Sequence, residues 1–202
     1  MEIIEDRGKP LFLVDMDNTG AHLEPAYEKR MKEIVPPEVY AQRNASAYWV
    51  EDIFFHATEY HDELNNIFRE EGFFLNLEPI PGFVEALHEM ISEGFAVRIC
   101  STPHPKSKYC HNEKDTWIRK YLGEEFVLRA IYTYDKTIVY GDILIDDKPE
   151  IEGFLDFEKR KPFWTHVLFD QKHNRHINDR YRLNNWKDWR KVTYPILKSL
   201  GY

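Results

Sequence analysis

The sequence predicts an α/β fold, in which a parallel sheet core is flanked by helices and a small helical cap is inserted after the first strand. Three observations predict it: short apolar runs that end in a polar residue, helical periodicity between those runs, and one long helical segment that interrupts the alternation. Continuous apolar runs are typical of parallel strands that helices cover on both faces. Strands that alternate with helices indicate a parallel sheet.

Each predicted strand has a polar residue at its carboxyl end. The strands are residues 11–14, 95–100, 143–145 and 166–169, and the residues that follow them are Asp15, Ser101, Asp146 and Asp170. Ligands of open α/β sheets bind in a crevice beyond the carboxyl ends of the strands. We therefore expect Asp15, Ser101 and Asp146 to meet in one crevice.

Helical patterns fill the segments between these strands. Apolar residues recur at 3.6-residue spacing from Phe83 to Ile91, after a Pro-Gly pair, and a second pattern contains Trp117 and Tyr121. Residues 186–197 are expected to form a closing amphipathic helix.

The segment from Gly20 to Pro81 does not follow the alternation of strands and helices. It is helical in character and concentrates aromatic residues, which are Tyr48, Trp49, Phe54, Phe55, Tyr60, Phe68, Phe73 and Phe74. We therefore predict a core made of residues 1–19 and 82–202, and a helical cap made of residues 20–81.

Composition and charge exclude several classes of protein. The chain has 202 residues, of which 43% are apolar and 15% aromatic, and this is enough for one well-buried core. Its 27 basic and 35 acidic residues give a net charge of −8, which repels polymeric nucleic acid and anionic membrane surfaces. Any phosphate group must therefore be bound locally.

Two further expectations concern location and cysteine chemistry. No apolar run approaches the ~20 residues that a membrane span needs, and the first residues include Glu2, Glu5 and Asp6, so we expect a cytoplasmic protein without a membrane partner. Cys100 and Cys110 lie in unlike contexts, and we expect two free thiols and no zinc site.

Asp15 and Asp17 place two carboxylates at the end of the first strand. Such a pair suits phosphoryl transfer, because one carboxylate can attack phosphorus while the other protonates the departing oxygen and later takes a proton from water. An Asp-rich turn after a strand would have the same sequence, and the pair alone leaves both interpretations open.

Three further groups follow the later strands. Asp146 supplies a carboxylate of the kind that Mg²⁺ prefers, although a solvated loop that caps the next helix would look alike. Ser101 and Thr102 offer a hydroxyl pair, and Lys136 an ammonium, which together can hold phosphate oxygens. A lone surface lysine is usually only solvated, but the ordered occurrence of all the groups favours a site.

This order of residues resembles the four motifs of the haloacid dehalogenase-like phosphatase superfamily. More specific segments resemble the 5′(3′)-deoxyribonucleotidases, and the similarity extends from about Leu11 to Leu197. Those segments are residues 73–82, 108–110 with Glu113 and Lys114, 135–137, 145–149, and 166–169 with His173 and Asn174.

The resemblance implies a Rossmann-like core with a small cap, which dephosphorylates deoxyribonucleoside monophosphates with magnesium, usually as a homodimer. It implies the following roles: nucleophile Asp15, acid/base Asp17, phosphate-binding Ser101, Thr102 and Lys136, metal ligands Asp15, Asp146 and the main-chain carbonyl of Asp17, and a nucleoside pocket formed by Tyr48, Trp49, Val50 and Phe68.

The chain departs from the family pattern at Asn18, Leu23, Ser101 and Lys148, where the family usually has Gly, an aromatic residue, Thr and Arg. Without the aromatic at Leu23 the base preference stays open, because base stacking is worth ~1–3 kcal/mol. Lys106 is given no phosphate role.

Two other functions remain as alternatives: a phosphatase of another small phosphate ester, such as a sugar phosphate, and a non-catalytic nucleotide-binding protein. The segment from His173 to His176 is expected to be a hydrogen-bonded loop and not a metal site. Arg175, Arg180 and Arg182 are expected to be solvated.

Overall fold

A computed structural model describes residues 8–153 and 162–202 of the chain. The acidic start with Glu2, Glu5 and Asp6 lies outside the described residues, as does the side chain of Val50. Within the described part, no helix has both the length and the apolar character needed to cross a bilayer.

The core of the fold is a six-stranded sheet in the order β3-β2-β1-β4-β5-β6, in which every neighbouring pair is parallel. The predicted α/β class is confirmed. The strands are β1 (Leu11–Val14), β2 (Ala96–Ser101), β3 (Ala130–Tyr132), β4 (Ile143–Asp146), β5 (Thr165–Phe169) and β6 (Tyr181–Leu183).

Both faces of β1 are buried, and its side chains alternate between two apolar clusters. Phe12 and Val14 belong to the large cluster, and Leu13 packs with Leu144 and Trp164 on the opposite face. A strand that is buried on both faces reads as a continuous apolar run, which is why the sequence pattern identified it.

The edge strands β3 and β6 were not predicted from the sequence. Each has three residues, and most of their side chains are only partly buried. A short edge strand has no long apolar run to identify it, since one of its sides lacks a neighbouring strand.

The helices of the core follow the predicted patterns closely. The pattern around Phe83 is α5 (Phe83–Ser92), and the pattern around Trp117 is α6 (Cys110–Leu122), which α7 (Glu124–Val127) follows. The closing helix α8 (Trp189–Leu200) begins after a 3₁₀ turn at Trp186–Asp188 and contains Pro195.

The segment between β1 and α5 is helical, as predicted, but its helices are short apart from the first. They are α1 (Leu23–Ile34), α2 (Pro37–Tyr40), α3 (Val50–Ile53) and α4 (His61–Asn66), with 3₁₀ turns at Thr58–Tyr60 and Ile67–Arg69. Buried cap residues such as Tyr27 and Phe54 belong to the same cluster as Phe12 of the sheet. The exact cap boundaries, 20 and 81, stay a prediction.

The two chain crossings between core and cap lie side by side. Ala21 forms an antiparallel bridge with Pro79, the His22 N–H donates to the carbonyl of Glu78 at 2.8 Å, and that of Ile80 donates to Gly20 at 2.8 Å. A Cβ on Gly20 would lie 2.5 Å from the Phe83 ring, so this position requires glycine. The first crossing is therefore packed directly on the core.

Both cysteines are free, as predicted, and the structure shows that both are buried. Cys100 is the fifth residue of β2, and Cys110 begins α6, where its sulfur accepts a hydrogen bond from the main-chain N–H of His104 at 3.3 Å.

Candidate active site

The carboxyl ends of three adjacent strands form the floor of the candidate site. Asp15 follows β1, Ser101 ends β2 and Asp146 ends β4, and all three are buried. The register pairs β1 with both neighbours, so the three residues lie at the same end of adjacent strands. The Asp15 N–H donates to the carbonyl of Ile145 at 2.9 Å and continues the ladder past the end of β1.

Lys136 binds both carboxylates of this floor. Its Nζ donates to Asp15 Oδ1 at 2.5 Å and to Asp146 Oδ2 at 2.6 Å, and the lysine is itself buried. Burial would lower the pKa of this ammonium, but the charges of Asp146 and Asp15 outweigh that effect and raise it. Lys136 is therefore a permanent cation in the middle of the site.

A third buried carboxylate, that of Asp147, joins Asp15 and Asp146. One ligand oxygen from each lies within 4.8 Å of the others. Asp147 also contacts His173, whose Nε2 lies 3.1 Å from the Asp147 carboxylate and 3.1 Å from its main-chain oxygen. Asp146 was predicted from the sequence as a metal ligand, and Asp147 was not.

The cluster holds more negative charge than Lys136 balances. Burial raises the pKa of Asp15 to about 8, Lys136 opposes the rise, and the Asp146, Asp17 and Asp147 charges add to it. Burial also acts to raise the pKa of Asp146, but the charge of Lys136 and its hydrogen bond outweigh burial and lower that pKa overall. Three oxygen donors with excess negative charge fit a hard divalent cation such as Mg²⁺.

The turn after β1 presents Asp17 to this floor. Asn18 adopts φ 53°, a left-handed conformation that asparagine tolerates, so the departure from glycine at this position is accommodated. The Asn18 side chain accepts a hydrogen bond from the Glu24 N–H at 2.6 Å, and Gly20 and Ala21 both donate to the carbonyl of Met16. These bonds fix the exit of the chain.

Lys114 is a buried site residue whose role was not predicted from the sequence. From α6, its Nζ donates to Asp17 Oδ2 at 2.7 Å, to Ser101 Oγ at 2.8 Å and to the carbonyl of Thr102 at 3.1 Å. All three ammonium protons therefore have partners. The segment that contains Glu113 and Lys114 resembles the family, but a lysine in a helical pattern usually faces solvent.

The neighbouring residue on α6, Glu113, holds the segment by which the chain leaves the cap. Its buried carboxylate accepts hydrogen bonds from the main-chain N–H groups of Gly72 at 2.6 Å, Phe74 at 3.0 Å and Leu75 at 3.3 Å. Consecutive residues of one helix thus fix the cap exit and the Asp17 side chain.

Between the floor and the cap lies a cavity of about 470 Å³. Eight of the predicted site residues line it; they are Asp15, Asp17, Tyr48, Trp49, Phe68, Thr102, Lys136 and Asp146. Ser101 is not among the lining residues, because it is fully buried and its hydroxyl accepts the bond from Lys114. The Val50 side chain lies outside the described residues.

Aromatic side chains form the cap side of this cavity. Tyr48 and Trp49 are in edge contact and are 37% and 56% exposed, so the cap core does not enclose them. Phe68 stacks on Tyr27 at 4.6 Å and on His104 at 5.6 Å between ring centroids. The sequence could not separate these lining aromatics from those of the cap core, such as the fully buried Phe54.

The loop after β5 is structural. Asn174 donates to the carbonyls of Asp147 and Phe169, both at 2.8 Å, which confirms the predicted hydrogen-bonded loop. The expectation that Arg182 is solvated was wrong: its guanidinium donates to Asp170, Asn174 and Ile177 because it fills the turn between β5 and β6.

Comparison with known proteins places this geometry in context. The family described as 5′ nucleotidase, deoxy (Pyrimidine), cytosolic type C protein matches residues 9–197. The human mitochondrial 5′(3′)-deoxyribonucleotidase is 36% identical over 187 residues, covering 89% of this chain and 80% of the relative. The human cytosolic-type enzyme of the same name is 36% identical, covering 89% and 91%.

Solved structures support the fold. A HAD family hydrolase from Deinococcus radiodurans has a TM-score of 0.59 at 12% sequence identity, with 93% of this chain and 96% of that chain covered. A haloacid dehalogenase-like protein from Agrobacterium tumefaciens has a TM-score of 0.56 at 13% identity, with coverages of 94% and 100%. These similarities concern the arrangement of strands and helices alone.

Proposed function

The chain belongs to the 5′ nucleotidase, deoxy (Pyrimidine), cytosolic type C protein family, and from that premise we propose that it hydrolyses deoxyribonucleoside monophosphates with the help of magnesium. It is a phosphomonoesterase, like the relatives named 5′(3′)-deoxyribonucleotidase. The proposed products are a deoxyribonucleoside and phosphate. The observation that carries the proposal is the group of buried carboxylates around Lys136 at the floor of an aromatic cavity.

In the proposed first step, a carboxylate oxygen of Asp15 attacks phosphorus, and the bond from phosphorus to the nucleoside oxygen breaks. Asp17 gives its proton to that departing oxygen. In the second step, water attacks the phosphorus of the aspartyl-phosphate and gives a proton back to Asp17, which releases phosphate and frees Asp15. Lys136 offsets the repulsion between the phosphate and the attacking carboxylate.

Ser101 and Thr102 have different parts in this proposal. The Thr102 side chain lines the cavity, where it can donate to a phosphate oxygen. Ser101 lies behind it and, with Lys114, supports the phosphate end of the site. Asp17 Oδ1 is buried and has no hydrogen-bond partner among the described residues, so one oxygen of this carboxyl group is free for the proton transfers.

We propose that Asp15, Asp146 and the main-chain carbonyl of Asp17 hold Mg²⁺, with Asp147 adjacent. The excess negative charge of the buried carboxylates supports this assignment. When bound, the ion would neutralise charge on the phosphate oxygens. Asp146 is kept ionised by Lys136, so it is available as a ligand at neutral pH.

A phosphate-release screen tests the function. Deoxyribonucleoside monophosphates, ribonucleoside monophosphates and sugar phosphates are each incubated with the enzyme, with and without magnesium. We expect the deoxyribonucleotides to be the best substrates. Preferred release from sugar phosphates would instead identify another small-ester phosphatase, and no release from any compound would identify a binding protein.

Loss of the metal is expected to stop turnover. Excess chelator should abolish phosphate release and magnesium should restore it, while Asp146→Ala should raise the magnesium requirement or eliminate activity, because an oxygen ligand is gone. Calorimetric titration of magnesium measures the binding without turnover. Asp179→Ala, which removes an exposed carboxylate outside the cluster, is the matched control. Full activity in excess chelator would contradict the assignment.

Trp49→Ala tests whether the aromatic side chains on the cap side of the cavity bind the base. Because Trp49 is 56% exposed, we expect the melting temperature to fall by no more than about 2 °C. Nucleotide turnover should fall by about 5- to 150-fold, since stacking on a base is worth ~1–3 kcal/mol, and turnover of a small phosphate ester should not change. Phe55→Ala removes an exposed cap aromatic that does not line the cavity and is the control. Equal loss on both substrates would reject the role.

A homodimer in the cytoplasm stays a prediction. Size-exclusion chromatography with light scattering measures the oligomeric state, and a monomer at micromolar concentration would contradict the prediction.

A further inference from the structure

Tyr48 differs from Trp49 and Phe68, the other described aromatic residues predicted for the nucleoside pocket, because it carries a hydroxyl group. Its ring is in edge contact with the ring of His173, with 5.0 Å between the centroids. His173 Nε2 in turn lies 3.1 Å from the carboxylate of Asp147. Tyr48 lines the cavity and therefore lies next to the floor of the site as well as on the cap side.

The Tyr48 hydroxyl is a hydrogen-bond donor whose partner is not part of the described chain. Within the described residues the hydroxyl makes no hydrogen bond. A phenol is already neutral near pH 7, and burial raises the pKa of Tyr48 well above its ordinary value. Four carboxylate charges raise that pKa further; they belong to Asp147, Asp146, Asp15 and Asp17. The hydroxyl thus keeps its proton and can donate to an acceptor in the cavity.

The strand order places Tyr48 opposite the other hydroxyl group of the phosphate end. Asp15 follows β1, Thr102 follows β2 on one side of it, and His173 follows β5 on the other side. Tyr48 packs on His173, so its ring lies on the β5 side. A phosphate group on Asp15 would therefore have the Thr102 hydroxyl on one side and the Tyr48 hydroxyl on the other.

We propose that the Tyr48 hydroxyl donates a hydrogen bond to an oxygen of the transferring phosphate group, which makes Tyr48 a catalytic residue. A donor that is held in place before the reaction stabilises the charge on the phosphate oxygens in the transition states of both steps. The contact is to the phosphate group, which every substrate carries, so it is independent of the base. The inference rests on the proposed phosphatase function and adds one residue to its mechanism.

Tyr48→Phe tests the contact, because it removes the hydroxyl and keeps the ring on His173 and Trp49. We expect kcat/KM to fall by the same factor for a deoxyribonucleoside monophosphate and for a small phosphate ester. That factor should be about 10- to 150-fold, as for a hydrogen bond to a charged group. The melting temperature should stay the same, since the hydroxyl has no partner in the described part of the chain.

Inhibition by inorganic phosphate gives a second measurement that involves neither a base nor a sugar. Its inhibition constant, measured against the small ester, should rise in Tyr48→Phe. An inhibition constant does not depend on the fraction of enzyme that is folded, so it separates a lost contact from a lost fold. Tyr60→Phe removes a hydroxyl from a cap tyrosine that does not line the cavity, and as the matched control it should change none of these quantities.

The outcomes distinguish this inference from the function on which it rests. Unchanged turnover of the ester, a loss confined to the nucleotide, or an unchanged inhibition constant for phosphate would each overturn the role of the Tyr48 hydroxyl and leave the nucleotidase function intact. Hydrolysis of the ester by the wild type without hydrolysis of any nucleotide would overturn the proposed substrate class, and the ester would still report on the contact between Tyr48 and phosphate.

Discussion

Asp15→Asn is expected to abolish phosphate release while the chain keeps its fold. The amide of asparagine is a far poorer nucleophile than a carboxylate, so kcat should fall by at least about a thousandfold. The two side chains have nearly the same shape, and Lys136 retains its contact with Asp146. Measurement of single-turnover phosphate release, with circular dichroism to check the fold, gives the comparison.

Stability provides an independent readout for the same variant. Burial raises the folded-state pKa of Asp15 to about 8, above that of the unfolded chain. Between about pH 4 and pH 8 the folded state therefore binds more protons, and wild-type stability falls as pH rises. The amide of the variant does not titrate, so in chelator at pH 8 the Asp15→Asn protein should melt at or above the wild-type temperature. Retained turnover, or a collapse of the fold at pH 8, would count against the assigned role.

Lys114→Met should produce the second-largest loss. The substitution keeps most of the buried volume but removes the cation that holds Asp17 Oδ2 and Ser101 Oγ, so proton transfer by Asp17 loses its geometry. General acid–base catalysis contributes ~10²–10⁴-fold, and we expect kcat to fall within that range.

Two comparisons make this prediction specific. Lys120→Met removes an exposed lysine from the same helix and should leave kcat unchanged. If Lys114 acts through Asp17, the loss in Asp17→Asn with Lys114→Met should be much smaller than the product of the two single losses. Independent, multiplicative losses would show that Lys114 acts on the phosphate or on the fold by another route.

The floor of the site was predictable because its residues follow strands that are buried on both faces. Such strands read as apolar runs, and the topology of parallel sheets then brings Asp15 and Asp146 together. Lys136 was identified from its place in the ordered series of polar groups. The site residues on helix α6 were not predictable in this way. Helical spacing indicates which residues share one face of a helix, but not what that face packs against, and the contact of Lys114 with Asp17 exists only in the folded chain.

A helical cap rich in aromatic residues was predictable from the sequence, but which of its residues line the cavity was not. Aromatic density indicates a segment with its own apolar packing, but Phe54 is fully buried whereas Trp49 is half exposed, and the sequence contains no signal that separates them. The contacts of Glu28 with Tyr40 and Arg43 were not predicted, because these residues come from α1 and from the segment around α2. Only the packing of those two segments brings a carboxylate, a phenol and a guanidinium together.

The hydrogen bonds of Glu113 and Lys114 connect the cap with the catalytic turn, and this connection has a consequence for how the protein unfolds on heating. One side chain fastens the cap exit and the other fastens the catalytic turn, and both belong to one helix whose Trp117 also donates to the carbonyl of Leu77 at 2.7 Å. Cap and sheet also share one apolar cluster. They should therefore form a single cooperative unit, with one calorimetric transition whose midpoint coincides with the loss of activity, and no partly unfolded species with an intact sheet and a melted cap.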